Sequence, residues 1–175
     1  MGREILFPMC RNIKNFTPDE PWTDKRESHH FYNVQADFAI ERLKGASNCL
    51  VIGSPIFEAQ ELAKTMEITY LDIRKPPHDV GHFVQADATS IPIEDGSFDA
   101  VSSTCVLCHV GLGRYGDPLV EDGDMKMLKE IARVLKPSGL AALTFGPVAV
   151  IEDLMKIGTF QRVYTMREAV RMAIE

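Results

Sequence analysis

Five short apolar runs punctuate the chain: Cys49 to Ile52, Ile68 to Asp72, Phe83 to Asp87, Phe98 to Val101 and Leu140 to Phe145. Each is too short for a helix and mostly apolar, as expected of strands buried on both faces of a parallel sheet. Between them the apolar period lengthens. Phe31, Val34, Phe38 and Leu43 fall near helical spacing from Ser28 until Gly45, and Glu58 to Met66 carries good helix formers. Leu128, Ile131, Val134 and Leu135 mark a helix over Asp122 to Leu135, which Lys136-Pro137-Ser138-Gly139 breaks. Strands alternating with helices predict one α/β domain over residues 1–175, doubly wound around a mostly parallel sheet. Residues 1–27 hold three prolines and mixed charge without a period, so they read as an irregular arm. Beyond the fifth run lie an apolar stretch at Val148 to Leu154, an extended piece at Phe160 to Tyr164, and a capping box, Thr165-Met166-Arg167-Glu168, that opens a terminal helix.

Open sheets of this kind bind ligands outside the carboxyl ends of their strands, so the residues that follow each run are the ones to inspect. Gly53-Ser54-Pro55 follows the first run. Asp72 closes the second, 19 positions after Gly53, near the ~20 expected of a carboxylate that accepts two ribose hydroxyls. Asp87 closes the third, ahead of a loop with turn signals at Ile91-Pro92 and Asp95-Gly96. After the fourth come Ser102 to Val110 and then Gly111-Leu112-Gly113-Arg114-Tyr115-Gly116-Asp117-Pro118, a glycine-rich loop suited to bringing polar groups over a crevice.

The passage from Phe83 to Ser103, with its acid-Ala pair, I-P-I loop and F-D-A-V strand, resembles the adenine-binding region of class I S-adenosylmethionine-dependent methyltransferases. The likeness runs, with gaps, from Asn48 to Phe145. The G-L-G-R-Y-G-D-P loop, together with Y-L-D-I-R, F-V-Q-A-D-A-T and R-V-L-K-P-S-G, is similar to a methyltransferase-like subgroup of unknown function. The resemblance implies the Rossmann-like methyltransferase fold, S-adenosylmethionine as cofactor and a small-molecule acceptor. It also implies roles: Asp72 for the ribose, Asp87 and Ala88 for the adenine edge, Gly53 to admit the methionine moiety and Phe57 to wall the pocket, with Ser54, Ile73 and Ser103 completing the cofactor set. His109 is the candidate base if the acceptor must lose a proton, and Arg114 is placed to hold an anionic acceptor.

Two departures from the family leave a second reading open. The first turn has a single glycine and a proline where the family carries G-x-G, and a sixth and a seventh strand are not both visible, so the sheet is expected to be shortened at its C-terminal closing strands. A non-catalytic binding or assembly module on the same fold is therefore the alternative. A nicotinamide-dependent oxidoreductase is disfavoured because G-x-G-x-x-G is absent.

A net charge of -6 argues against a nucleic-acid surface, which draws its affinity from clustered Lys and Arg. No apolar run approaches the roughly 18 residues of a membrane span, and Met1 to Phe7 is no signal-peptide core, so a cytoplasmic location is expected. The four cysteines, Cys10, Cys49, Cys105 and Cys108, are too few and scattered for a disulfide scaffold. Cys105 to His109 matches the short haem-attachment pattern and half of a zinc site, but packing at a strand end is the preferred reading and no metal is expected. Leu140 to Phe145, with no charge or proline to blunt a sheet edge, leads to the expectation of a homodimer joined there.

Overall fold

The computed structural model describes residues 30–144, 148–149, 162, 164–165, 167–168 and 171–172. The expected arm at 1–27, Phe145 and the stretch at 150–161 lie outside the described residues. Within them the chain builds α1 (His30–Arg42), β1 (Asn48–Ile52), α2 (Ile56–Leu62), β2 (Glu67–Asp72), β3 (His82–Gln85), β4 (Phe98–Thr104), α3 (Gly123–Val134), β5 (Leu135–Thr144), β6 (Val148–Ala149) and β7 (Tyr164–Thr165). The first five strands form one sheet in the order β3-β2-β1-β4-β5, and every pairing in it is parallel. β6 and β7 pair with each other in a separate two-stranded sheet. This is the doubly wound arrangement expected of the alternating pattern. Its order reverses between β1 and β4, where a crevice opens at the carboxyl ends.

Alternate residues of each central strand enter different cores. Cys49 and Val51 of β1, Ile68 and Tyr70 of β2 and Ala100 of β4 pack with Ala39 of α1, with Leu43 just after that helix, and with Ile56, Ala59 and Leu62 of α2. Leu50, Ile52, Leu71 and Val101 face the other way, onto Met127, Ile131 and Val134 of α3. The central strands are thus covered on both sides, which explains why β1 and β4 read as continuous apolar runs and not as alternating ones, while β3 and β5 are only partly buried. Each large apolar side chain fully withdrawn from water contributes about 1.5–3 kcal/mol.

Three local expectations are corrected. On α1, Val34 and Phe38 are exposed and the buried face is Ala36, Ala39 and Leu43; small residues let this helix lie close against the sheet, and Arg42 stacks over Phe38 from outside. The helix expected at Glu58 to Met66 ends at Leu62, because Glu67 is already paired with Asn48 as the first residue of β2. Lys136 to Gly139 ends α3 as expected, yet the chain continues as β5 from Leu135, with a register shift between the pairs at Phe98 and Ala100. Lys136 pins that irregular segment by donating to the Asp99 carboxylate at 2.7 Å. The capping box is formed: the Thr165 amide and hydroxyl donate to Glu168, whose amide donates back to the Thr165 hydroxyl.

Two features shape the crevice from below. At the end of β1, Gly53 has φ +57, and a Cβ there would stand 3.0 Å from a Val106 methyl and 3.6 Å from the Asp72 carboxylate. On the far side, α3 ties down the loop after β3. Glu130 accepts the Ile91 amide at 2.7 Å, and Arg133 donates to the Ile91 and Ile93 carbonyls, to Glu130 and to Asp95. The Arg of the R-V-L-K-P-S-G segment is therefore the clamp on the I-P-I loop.

Gly53→Ala is expected to destabilise the protein by about 1–2 kcal/mol through the left-handed backbone and the Val106 contact, read in denaturant unfolding. Adding Val106→Ala should recover the steric part and leave the backbone part. Arg133→Ala should lower the unfolding midpoint and accelerate hydrogen exchange at the Ile91 amide, while Arg133→Lys, which cannot reach both carbonyls, should restore little of either.

Candidate functional site

The four strand ends and the glycine-rich loop enclose an open crevice of about 110 Å³. β1 supplies Ile52 and Gly53; β2 and its exit supply Leu71, Asp72, Ile73 and Arg74; the exit of β3 supplies Ala86, Asp87 and Ala88. Cys105, Val106, His109 and Val110 follow β4, and Tyr115 and Asp117 come from the glycine-rich loop. Of the cofactor residues expected from sequence, Gly53, Asp72, Ile73, Asp87 and Ala88 are brought together here. Ser54, Phe57 and Ser103 are not among the lining residues. Ser54 and Phe57 are buried, and Ser54 serves the frame: its hydroxyl accepts the Thr104 amide at 2.9 Å and its carbonyl accepts the Tyr70 hydroxyl.

The two acids differ in setting. Asp72 is buried, and its Oδ1 accepts the Arg74 amide at 2.7 Å. Burial pushes its carboxyl up to about 6 against the opposing pull of the Arg74 amide and guanidinium. Asp87 is half-buried, and its Oδ1 accepts both the amide and the hydroxyl of Thr89 at 2.8 Å, a turn that fixes the carboxylate at the crevice wall.

Beneath the crevice a third acid went unnoticed in the sequence. Glu58, on the first turn of α2, is fully buried and accepts the Ser102 hydroxyl at 2.6 Å. Burial raises its pKa, and its Oε2 has no hydrogen-bond partner among the described residues. An acid in an otherwise apolar helix turn is the only hint the sequence carries. Cys105 has φ +60, donates its thiol proton to Gln35, and is pushed by burial to about 12, so its sulfur stays protonated and structural. Cys108 is buried.

The glycine-rich loop is folded around one carboxylate. Asp117 accepts the amides of Gly111 and Gly113 on Oδ2 at 2.9 and 3.1 Å, and that of Tyr115 on Oδ1 at 3.1 Å. The loop's base is closed by Val120 donating to the Gly111 carbonyl, and a Cβ on Gly111 would stand 2.3 Å from the Val120 oxygen, so only glycine fits there. The Arg162 guanidinium holds the outer rim through the carbonyls of Val110, Val120 and Glu121. On this scaffold the Tyr115 ring lies 4.5 Å from the Arg74 guanidinium and 4.8 Å from that of Arg114, with His109 edge-on to it at 5.9 Å. His109 Nδ1 and Arg114 Nη1 are 3.1 Å apart. The sequence proposed His109 and Arg114 separately; their direct contact, and the parts played by Arg74 and Tyr115, emerge only from the fold.

Residues 55–143 match the family described as a methyltransferase domain. No curated protein matches the chain significantly. Among solved structures, it is similar to the Burkholderia thailandensis 1,6-didemethyltoxoflavin-N1-methyltransferase with bound 1,6-didemethyltoxoflavin and S-adenosylhomocysteine (15% identity, 84% of this chain and 67% of that one, TM-score 0.62). It is also similar to the PH0226 protein of Pyrococcus horikoshii OT3 (16% identity, 87% and 84%, TM-score 0.56) and to the [4+2]-cyclase SpnF (18% identity, 86% and 60%, TM-score 0.54). At these identities the likeness is one of fold, and it agrees with the β3-β2-β1-β4-β5 parallel sheet. With the family match spanning half of the sequence and the strand order to support it, the chain belongs to the methyltransferase-domain family.

Proposed function

We propose that the protein is an S-adenosylmethionine-dependent methyltransferase acting on a small molecule. The observation that carries this reading is the convergence of Gly53, Asp72, Asp87 and Ala88 on one crevice at the carboxyl ends of the sheet. The residues fit the cofactor. Asp72 stands beside Gly53, whose left-handed backbone and tight fit against Val106 favour glycine, as a ribose-binding acid and a close-approach glycine should. Asp87 and Ala88 form an acid-apolar wall opposite, suited to an adenine edge. When bound, the cofactor's sulfonium supplies an activated methyl group, so the protein's task is chiefly alignment and exclusion of water. His109 lines the same crevice with Arg114 Nη1 3.1 Å from its Nδ1, and this pair is assigned to the acceptor in the proposed reading. A non-catalytic binding or assembly module on the same fold is the competing reading, with the single-glycine turn at Gly53 in its favour.

The reading extends to location and assembly: a cytoplasmic protein that does not engage nucleic acid and pairs as a homodimer. β5 ends the strand order of the main sheet and carries the exposed Leu140, which supports pairing at that edge. Light scattering should report the mass of two chains, reduced to one by Leu143→Lys; a single-chain mass for the unaltered protein rejects the dimer.

Calorimetry with S-adenosylhomocysteine should show binding in the micromolar range or weaker, since the turn at Gly53-Ser54-Pro55 offers fewer backbone donors than two glycines would. Asp72→Ala should cost more affinity than Asp87→Ala, because two ribose hydroxyls lose their acceptor. No heat at millimolar ligand supports the non-catalytic binding or assembly module instead.

The raised pKa of Asp72 sets a pH dependence. The native carboxyl binds its proton more tightly than the unfolded one, so between 3.8 and about 6 the native state holds more protons and its contribution to stability falls as pH rises. Asp72→Asn should flatten that fall and stabilise the ligand-free protein at pH 7 by on the order of 2 kcal/mol, while weakening S-adenosylhomocysteine. Thermal melts from pH 4 to 8 check both signs.

A further inference from the structure

We propose that Arg162 is a positioning residue of the crevice. From a segment beyond residue 143, where the family match ends, it staples the turn that carries His109 to both ends of the glycine-rich loop, and so sets the wall that a ligand meets. The effect on ligand affinity rests on the methyltransferase reading; the staple itself does not.

Arg162 is buried although it is a cation, and its donors are spent on backbone. Its amide donates to the Cys108 carbonyl at 2.6 Å and its Nη1 to the Val110 carbonyl, so both neighbours of His109 are bonded to Arg162. Its Nη2 reaches the carbonyls of Val120 and Glu121 at 3.2 and 3.0 Å, at the far end of the loop. Three carbonyl oxygens gathered at one point repel each other. A planar cation with a fork of donors is the group that lets them converge. The charge is met within the cluster: Asp124 Oδ2 is 3.6 Å from the Arg162 Nε and accepts the Tyr164 hydroxyl at 3.0 Å. Burial, and then the Asp124 charge, push the Tyr164 phenol up, so it stays a donor. A buried ionic network of this kind is costly to leave half-satisfied, so its members hold together or open together.

The backbone at the loop's neck is packed tightly enough to feel that staple. A Cβ on Gly123, the first residue of α3, would stand 2.7 Å from the Val110 oxygen and 2.9 Å from the Gly111 Cα. Asp117 orders the loop through the amides of Gly111, Gly113 and Tyr115, but these bonds are internal to it. Arg162 ties it to the segment that carries β7. Four residues of the stapled stretch, His109, Val110, Tyr115 and Asp117, line the crevice. In a space of about 110 Å³ a bound ligand meets that wall, and a wall that the ligand must first order lowers its affinity.

Amide hydrogen exchange followed by NMR tests the staple with no ligand present. In the unaltered protein the amides of Arg162, Gly111, Gly113 and Tyr115 should share one opening free energy, below that of Leu50 in β1; loop amides that open independently of the Arg162 amide overturn the proposal. Arg162→Ala should speed the three loop amides about tenfold more than it speeds Leu50, and equal acceleration at Leu50 would mean a general stability role and overturn it too. Arg162→Lys, whose ammonium cannot fork across three carbonyls, should restore little. Tyr164→Phe, which withdraws one donor from Asp124, should act in the same direction more weakly, and it decides the matter if the alanine variant does not fold. Calorimetry should then show S-adenosylhomocysteine bound about fivefold more weakly by Arg162→Ala, and by reciprocity saturating S-adenosylhomocysteine should slow exchange at the Arg162 amide. A loosened loop with unchanged affinity makes Arg162 structural only and rejects the positioning role. If the unaltered protein binds no S-adenosylhomocysteine, the methyltransferase reading fails and the exchange measurements alone decide the staple.

Discussion

Everything about the crevice depends on how closely three strand ends approach one another at Gly53. Its amide donates to the Leu71 carbonyl at 2.8 Å, which joins the exit of β1 to the end of β2. Its left-handed φ of +57 then turns the chain toward α2, away from the ligand side. Because no Cβ stands in the way, Val106 from the β4 exit packs against it and Asp72 comes within reach. A side chain at this position would crowd the Val106 methyls and strain the left-handed backbone. One glycine thus performs much of what the family divides between two; Pro55 stands at the second glycine's position, and Ser54 between them fastens β4 and β2 to the same turn through its hydroxyl and carbonyl.

Behind that turn lies a buried polar layer. Glu58, Ser102, Ser54 and Thr104 sit between α2 and the end of β4, where an apolar core would be simpler. A buried carboxyl whose pKa is raised is costly to ionise, so the protonated acid, bonded to Ser102, is the form the fold favours. The layer orders the strand ends by directional bonds where dispersion alone would allow them to slide. On the opposite flank the Glu130–Arg133 pair plays the corresponding part for the I-P-I loop, and Asp117 for the glycine-rich loop. Each wall of the crevice is therefore held by a charged group that is itself consumed in the holding. The charged residues that line the crevice are Asp72, Arg74, Asp87 and Asp117, with the Arg74 Nε 3.8 Å from Asp72.

How much of this could be read from the chain depended on whether the signal was local. A run such as Cys49 to Ile52 declared the parallel sheet because burial on both faces leaves no alternation to confuse with other structure, whereas Leu140 to Thr144 is as apolar yet has only Ala142 buried and Leu140 exposed. Gly53 to Asp72 was legible because a strand-turn-helix-strand unit has a nearly fixed length. The inward face of α1 was misjudged: Val34 and Phe38 are larger and more apolar than Ala36 and Ala39, yet close packing on the sheet selected the alanines. The family resemblance implies Phe57 and Ser103 at the crevice, but neither is among its lining residues, since adjacent residues point to opposite sides of a turn or a strand. The Arg74–Tyr115–Arg114–His109 assembly joins the exit of β2 to a loop some forty positions later, and no periodicity reports a contact of that kind.

The central claim is that a cofactor lies across Gly53 with its ribose on Asp72 and its adenine beside Asp87 and Ala88. A crystal structure of the protein grown with S-adenosylhomocysteine tests it most directly. The account predicts both ribose hydroxyls within hydrogen-bond distance of the Asp72 carboxylate and the adenine edge against Asp87-Ala88, with Arg74, Tyr115 and His109 facing the remaining space. A ligand bound elsewhere, or seated in the crevice with Asp72 turned away from the ribose, would contradict it.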